Sequence, residues 1–209
     1  SWILNIDSSG VLNREKTFNS GSEANSISVT ADGGHIIAGY LDTAVNRSAD
    51  FFITKLDSGG NLQWQKLLGG SGVDDAYSIK QTFDGGYIVA GITTSDDGDV
   101  TGNHGGNDYW IVKLDSMGNL QWQKSVGGPG EDYGLCVRQM TDSSYVIAGS
   151  SDFDGGDVSG NHLHEDFWIV KLGTQEKTGV VFSDRDKLKT GSNYPNPFSA
   201  RTTISFSII

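Results

Sequence analysis

Short apolar runs, separated by turns rich in glycine and aspartate, follow one another along this chain and recur every 58 residues. In one copy, residues 109–114 are β-branched and aromatic with apolar side chains on both faces, which predicts a strand covered on both sides. Residues 120–124 alternate between apolar and polar positions, which predicts a half-buried strand. Residues 134–140 and 145–149 predict two more strands, joined by a turn. Each copy therefore predicts four strands and no helix.

The repetition predicts the architecture. The words Ile-Val-Lys-Leu around Lys113 return around Lys171 and, as Ile-Thr-Lys-Leu, around Lys55. Repeats of this length are supersecondary units that bury their faces only against neighbours. We predict an all-β fold, a partial β-propeller in which each copy is one four-stranded antiparallel blade; a linear β-solenoid is the alternative. The predicted units are 2–40, 52–92 and 110–150, with a last strand at 166–172.

The number of repeats is too small for an ordinary closed ring. Three blades and one strand fall short of the four to eight blades with which propellers close. We therefore expect either a longer parent chain or a symmetric partner that completes the ring. The chain starts with Ser1-Trp2, midway through a repeat, which favours the longer parent.

Three copies of the repeat carry a resemblance to a known class of proteins. The phrases Trp-Gln-Lys-x-x-Gly-Gly, Asp-Gly-Gly-Tyr-Ile-Val-Ala-Gly (84–91) and Asp-Val-Thr-Gly-Asn-His (99–104) resemble propeller repeats of large secreted proteins of Bacteroidetes-type bacteria. The resemblance covers residues 1 to about 172. The first copy departs from it, because Arg14 stands where the other copies have tryptophan. The words Gly-Asn-Leu-Gln-Trp are also similar to quinoprotein propeller repeats, although no quinone pocket accompanies them.

The end of the chain carries a second resemblance. Residues 173–192 are mostly polar and are predicted to be a linker. Residues 193–209 begin Asn-Tyr-Pro-Asn-Pro-Phe and continue Thr-Thr-Ile-Ser-Phe, which resembles the start of the C-terminal sorting domain of type IX secretion. That resemblance implies recognition by the type IX machinery, passage across the outer membrane, and release or surface attachment. The family's domain has several more strands, so we expect the signal here to be truncated and insufficient for export.

Composition excludes several classes of partner. The formal net charge of −11 argues against nucleic acid, which requires a basic face. No apolar run approaches the roughly 18 residues of a membrane span. Cys136 is the single cysteine, so no internal disulfide can form, and its place in a strand predicts a small buried hydrophobe.

The aspartate-rich loops are the best candidates for a binding site. Carboxylates and amides spaced around glycines supply the oxygen ligands that Ca²⁺ prefers, although neither loop matches the full EF-hand pattern. The alternative is ordinary loop chemistry, since Asp, Asn and Gly are common turn formers. The candidate calcium ligands are Asp96, Asp99 and Asn103 in one copy and Asp154, Asp157 and Asn161 in the next.

Other conspicuous side chains favour structural roles. His104 and His162 repeat at the same spacing, but a zinc site would need further ligands. The repeated tryptophans could stack a sugar or peptide, yet their place in strands favours a core between blades. The repeated lysine of the first strand is expected to extend its head group to the surface. No catalytic signature stands out.

The expected function follows from these observations and resemblances. We expect a secreted or cell-surface, non-enzymatic propeller module without a cofactor, whose loops bind an unknown surface glycan or protein. The first alternative is the accessory C-terminal region of a secreted hydrolase whose catalytic domain lies upstream. The second is a quinone-dependent dehydrogenase, as the quinoprotein likeness would imply.

Overall fold

The computed structural model describes residues 2–17, 21–43, 48–162 and 164–173. The chain divides into two units, residues 1–174 and 175–209. All of the second unit lies outside the described residues, and so do the predicted sorting motif at 193–209 and the predicted linker apart from Gly173.

The described residues form β-strands and no helix, as predicted. Without a helix, this part of the chain also lacks any helix long and apolar enough to cross a membrane. The strands are β1 (Trp2–Ile6), β2 (Leu12–Thr17), β3 (Ser22–Val29), β4 (His35–Thr43), β5 (Ser48–Leu56), β6 (Leu62–Leu68), β7 (Asp74–Gln81), β8 (Tyr87–Thr93), β9 (Asp108–Leu114), β10 (Leu120–Val126), β11 (Asp132–Gln139), β12 (Tyr145–Ser151) and β13 (Asp166–Leu172).

The strands assemble into four antiparallel sheets, but not in the groups predicted from the repeat. Sheet I contains β1 and β2, sheet II runs β3-β4-β5-β6, sheet III runs β7-β8-β9-β10, and sheet IV runs β11-β12-β13. Each complete sheet thus joins the last two strands of one repeat to the first two strands of the next. The prediction that units 2–40, 52–92 and 110–150 each form their own blade was wrong by half a repeat.

Burial explains why the sheets take this grouping. Every residue of β8 and β9 is buried, and they lie side by side in the middle of sheet III. The half-exposed strand β10 lies at the edge. The predicted grouping would have placed β9 at an edge, with its apolar faces less well covered. A sheet gains more from keeping its most apolar strands central, since stabilisation scales with the apolar area removed from water.

Adjacent sheets pack face to face through repeated aromatic pairs. Between sheets II and III, the ring centroids of Phe51 and Trp110 lie 4.4 Å apart. Between sheets III and IV, Tyr109 and Trp168 take the equivalent positions at 4.9 Å. The tryptophans of the edge strands pack at the same two seams, Trp64 against Tyr87 and Trp122 against Tyr145. All four tryptophans therefore belong to the core between sheets.

The repeated lysine forms an ion pair with the aspartate of a hairpin turn. Lys113 Nζ lies 2.9 Å from Asp84 Oδ2, while its side chain is only 3% exposed. Burial acts to raise the pKa of Asp84, but hydrogen bonds from Thr82 and Lys113 outweigh it and lower that pKa to about 2. Equivalent pairs join Lys55 to Asp32 and Lys171 to Asp142.

Cys136 departs from its prediction. It lies in β11 but is exposed, whereas the equivalent Ser78 of sheet III is 5% exposed. The reason is its position in sheet IV, the last sheet of the described stack.

Candidate functional site

The loops at one end of sheets II to IV contact one another and form a continuous surface, here called the loop platform (residues 69–73, 94–107, 127–131, 152–162 and 164–165). The Ser71 N–H donates to Asp97 Oδ1 at 2.7 Å, and the Glu131 N–H donates to Asp152 Oδ1 at 2.7 Å. The platform contains no lysine or arginine. Its acidic residues are Asp96, Asp97, Asp99, Glu131, Asp152, Asp154, Asp157 and Glu165.

Beneath the platform, two carboxylates from adjacent sheets meet at a glycine. Asp50 of β5 and Asp74 of β7 each place an oxygen 2.6 Å from the position that a Cβ on Gly69 would occupy. Asp74 is fully buried and accepts hydrogen bonds from the hydroxyl groups of Thr93 and Ser95. Asp50 Oδ1 is buried without a hydrogen-bond partner among the described residues. Burial raises the pKa of both carboxyls, and the charge of Asp74 raises that of Asp50 further.

The same arrangement recurs at the seam between sheets III and IV. Oxygens of Asp108 and Asp132 lie 2.7 Å from the position of a Cβ on Gly127. Both side chains are fully buried, and burial is the main cause of their raised pKa values. Asp108 Oδ1 has no hydrogen-bond partner among the described residues. Pairs of buried carboxylates that approach a main chain from two sheets disfavour double ionisation.

His104 connects this second pair to the platform. Its Nδ1 lies 2.7 Å from Asp108 Oδ2, and its Nε2 lies 3.8 Å from Asp157 Oδ2 of the neighbouring loop. The contact with His104 opposes the rise in the pKa of Asp108. His162 makes the equivalent contact with Asp166, at 2.9 Å, although its side chain is 85% exposed. The predicted structural role of the repeated histidine thus has a defined partner.

The six candidate calcium ligands lie on the platform but serve mainly to hold its loops in shape. Asp96 Oδ1 accepts the Gly102 N–H at 2.9 Å, and Asp154 Oδ1 accepts the Asn161 N–H at 2.8 Å. The amide of Asn103 donates to the carbonyls of Thr93 and Gly106, and that of Asn161 donates to Ser151 and His164. The backbone N–H groups of Asp99 and Asp157 donate to the carbonyls of Gly69 and Gly127. Across the described parts of the chain, no three acidic, histidine or cysteine side chains are arranged to ligate one metal ion.

Sequence reasoning missed the buried carboxylates. Their signal was nevertheless present, because Asp50, Asp108 and Asp166 precede the same aromatic strand at intervals of 58 residues. Asp74 and Asp132 share that interval. A charged residue that recurs at the border of an apolar strand indicates a buried polar contact.

The raised pKa values predict a pH dependence of stability. Burial raises the pKa of Asp75, at the seam of sheets II and III, to about 6. An acid whose pKa is higher in the folded state contributes stability that is present at low pH and is lost as pH rises through the folded value. We expect the melting temperature to rise between pH 7.5 and pH 5, and Asp75→Asn to flatten that rise. The exposed Asp115, whose pKa is lowered by Asn119, provides the control Asp115→Asn, which should leave the rise intact. An unchanged profile in Asp75→Asn would contradict the assignment.

Comparisons with known proteins identify no family. No family model matches the chain, and no curated protein does. Among solved structures, the chain is similar to a protein of unknown function from Bacteroides caccae, at 11% sequence identity and a TM-score of 0.44. The match covers 70% of this chain and 49% of that protein, so the chain spans about half its length.

Proposed function

We propose that this chain is a non-enzymatic binding module of a secreted or cell-surface protein, and that the loop platform is its binding surface. The observation that carries the proposal is the charge of the platform, which holds eight acidic residues and no lysine or arginine. Phe153 stands in the same surface and is 58% exposed. A surface of one charge sign attracts partners of the opposite sign. The preferred partner is therefore cationic, such as a basic peptide segment or an amine-bearing glycan.

The internal hydrogen bonds of the platform support binding rather than catalysis. Asp97, Asp152 and Asp154 each accept a backbone N–H from a loop residue, so the carboxylates keep fixed positions. Preorganised loops lose less conformational entropy when a partner binds. Asp108 and Asp132, which have the strongest acid–base character, are fully buried below the surface.

Binding and activity assays on the 209-residue chain test this proposal. We expect saturable, salt-sensitive binding to an immobilised lysine-rich peptide and none to its glutamate-rich counterpart. Asp96→Asn, Asp97→Asn and Asp154→Asn combined should weaken binding by tenfold or more, on the order expected when several charges are lost. The matched control carries Asp7→Asn, Asp57→Asn and Asp115→Asn in turns outside the platform, and should bind normally. Turnover of a polysaccharide or peptide by the chain, or equal binding by both triple variants, would refute the proposal.

Calcium binding by the aspartate-rich loops belongs to the same proposal. If Asp96, Asp99, Asp154 and Asp157 hold the ion, calcium should raise the melting temperature by several degrees once it exceeds its dissociation constant about 100-fold. Asp99→Ala combined with Asp157→Ala should abolish the rise. Asp57→Ala with Asp115→Ala is the control and should retain it. A melting temperature unaffected by millimolar calcium would leave the loops with a purely structural role.

Export by type IX secretion is the second part of the proposal, supported by the motif at 193–209. We expect a reporter fused to residues 174–209 to remain inside a host that has this secretion system, because the motif provides one strand of a larger sorting domain. The same reporter fused to a complete sorting domain is the positive control. Export of the short fusion would show that the truncated motif is sufficient.

A further inference from the structure

The outer edge of β13 differs from the edges of its counterparts. In sheets II and III, the strands β5 and β9 are paired on both sides, β5 with β4 and β6 and β9 with β8 and β10. β13 occupies the same place in the repeat, yet among the described residues it pairs only with β12. An unpaired strand edge offers a row of backbone N–H and C=O groups to an incoming segment.

The side chains of β13 are accordingly more exposed than their equivalents. Lys171 is 39% exposed, compared with 3% for Lys113. Ile169 is 55% exposed, whereas Ile111 is fully buried. The residues that are buried in sheet III therefore form a partly open surface in sheet IV.

The contacts of sheet III define the chemistry that would complete this surface. The Trp110 indole N–H donates to Gln123 Oε1 of β10 at 2.9 Å. Lys113 Nζ donates to Gln121 Oε1 of the same strand at 3.0 Å. Trp168 and Lys171 repeat this pair of donors 58 residues later. Two glutamines two positions apart on an extended strand are the acceptors that match them.

We propose that the edge of β13 binds an extended segment with the pattern Leu-Gln-Trp-Gln-Lys of β10, added antiparallel as the fourth strand of sheet IV. The interface would continue one that the molecule already forms twice, between β5 and β6 and between β9 and β10. Shifted by one repeat, the β9–β10 register places Gln123 of such a segment opposite Val170 and Ser125 opposite Trp168. Backbone pairing supplies affinity, and the two glutamines supply register and specificity. This edge is separate from the loop platform.

A synthetic peptide of residues 118–127 tests the proposal against the 209-residue chain. We expect saturable binding by fluorescence anisotropy and a rise in the melting temperature of the chain. A peptide N-methylated at alternate residues, on the edge that would face β13, cannot form the backbone ladder and should not bind. A scrambled peptide of the same composition should not bind either. Failure of the unmodified peptide to bind, or equal binding by the methylated one, would overturn the proposal.

A double-mutant cycle tests the register. Gln123→Leu in the peptide and Trp168→Phe in the protein should each weaken binding by about three- to tenfold, the range expected for one hydrogen bond. The two changes together should cost little more than either alone, because both remove the same contact. Independent, multiplicative losses would show that the segment does not bind in this register. Circular dichroism verifies the fold of Trp168→Phe, while the methylated peptide uses the unaltered protein.

Discussion

Replacing Gly91 by alanine is expected to destabilise the fold by about 3 kcal/mol or more, which corresponds to a fall in melting temperature on the order of 10 °C. A Cβ at Gly91 would lie 2.0 Å from the Asp75 carbonyl oxygen and 2.8 Å from the Ala76 Cα. Both atoms belong to the backbone of the paired strand, so neither can move without disturbing the ladder. The pairing of β7 with β8 shifts register at this point, between Ala76 and Ser78. The bulge brings the two main chains too close for any side chain.

The same substitution elsewhere separates this steric effect from the general effect of adding a methyl group. A Cβ on Gly173 would meet nothing within 4 Å, and its φ is not positive. Gly173→Ala should therefore leave thermal unfolding within about 0.5 kcal/mol of the parent, as is usual for surface changes. Gly39→Ala should resemble Gly91→Ala, because its Cβ would lie 2.0 Å from the Glu23 carbonyl oxygen. Equal melting temperatures for the Gly91 and Gly173 variants would disprove the bulge argument.

Trp110→Ala is expected to cost about 3–5 kcal/mol, the range for truncation of a large buried aromatic side chain. Trp110 is fully buried, packs against Phe51 across the seam, and donates its indole N–H to Gln123. The change would open a cavity between sheets II and III and leave the Gln123 acceptor without this donor. Guanidinium unfolding followed by circular dichroism would measure the loss.

The repeat provides an internal comparison for this second prediction. Trp168 occupies the equivalent position but is only partly buried, so Trp168→Ala should cost less than Trp110→Ala. Trp110→Phe keeps a ring at the seam and should retain part of the stability. If truncation at Trp168 were as costly as at Trp110, stability would depend on the repeat position itself and not on burial.

The positions of the strands could be predicted from the sequence because each carries a local signal. The buried run of β9 and the alternation of β10 correspond to side-chain periods that a single strand imposes. The assignment of strands to sheets has no such local signal. β8 and β9 are separated by a long loop and still pair, whereas the shorter connection 69–73 leads from sheet II to sheet III. The deciding quantity is the burial of central strands, which depends on neighbours distant in sequence.

The candidate site was predictable in outline only. The aspartate-rich loops do lie together at one end of the sheets, as their spacing suggested. The buried pair of Asp108 and Asp132 was not foreseen, because the two residues belong to different sheets and meet only at Gly127. Most turns rich in Asp and Asn use their oxygens to fold the turn itself. A sequence pattern alone does not distinguish an oxygen so engaged from one that remains available.

The half-repeat offset between sequence units and sheets bears on how such a chain can lengthen. Each complete sheet takes two strands from one repeat and two from the next. A tandem duplication of 58 residues therefore adds one whole sheet wherever its end points fall, because the cyclic order of strands is preserved. No new strand type and no new seam chemistry are needed, since Phe51–Trp110 and Tyr109–Trp168 already show that one seam can be copied into another. Unequal recombination within the gene would change the number of sheets in whole steps, and each product would inherit a foldable core.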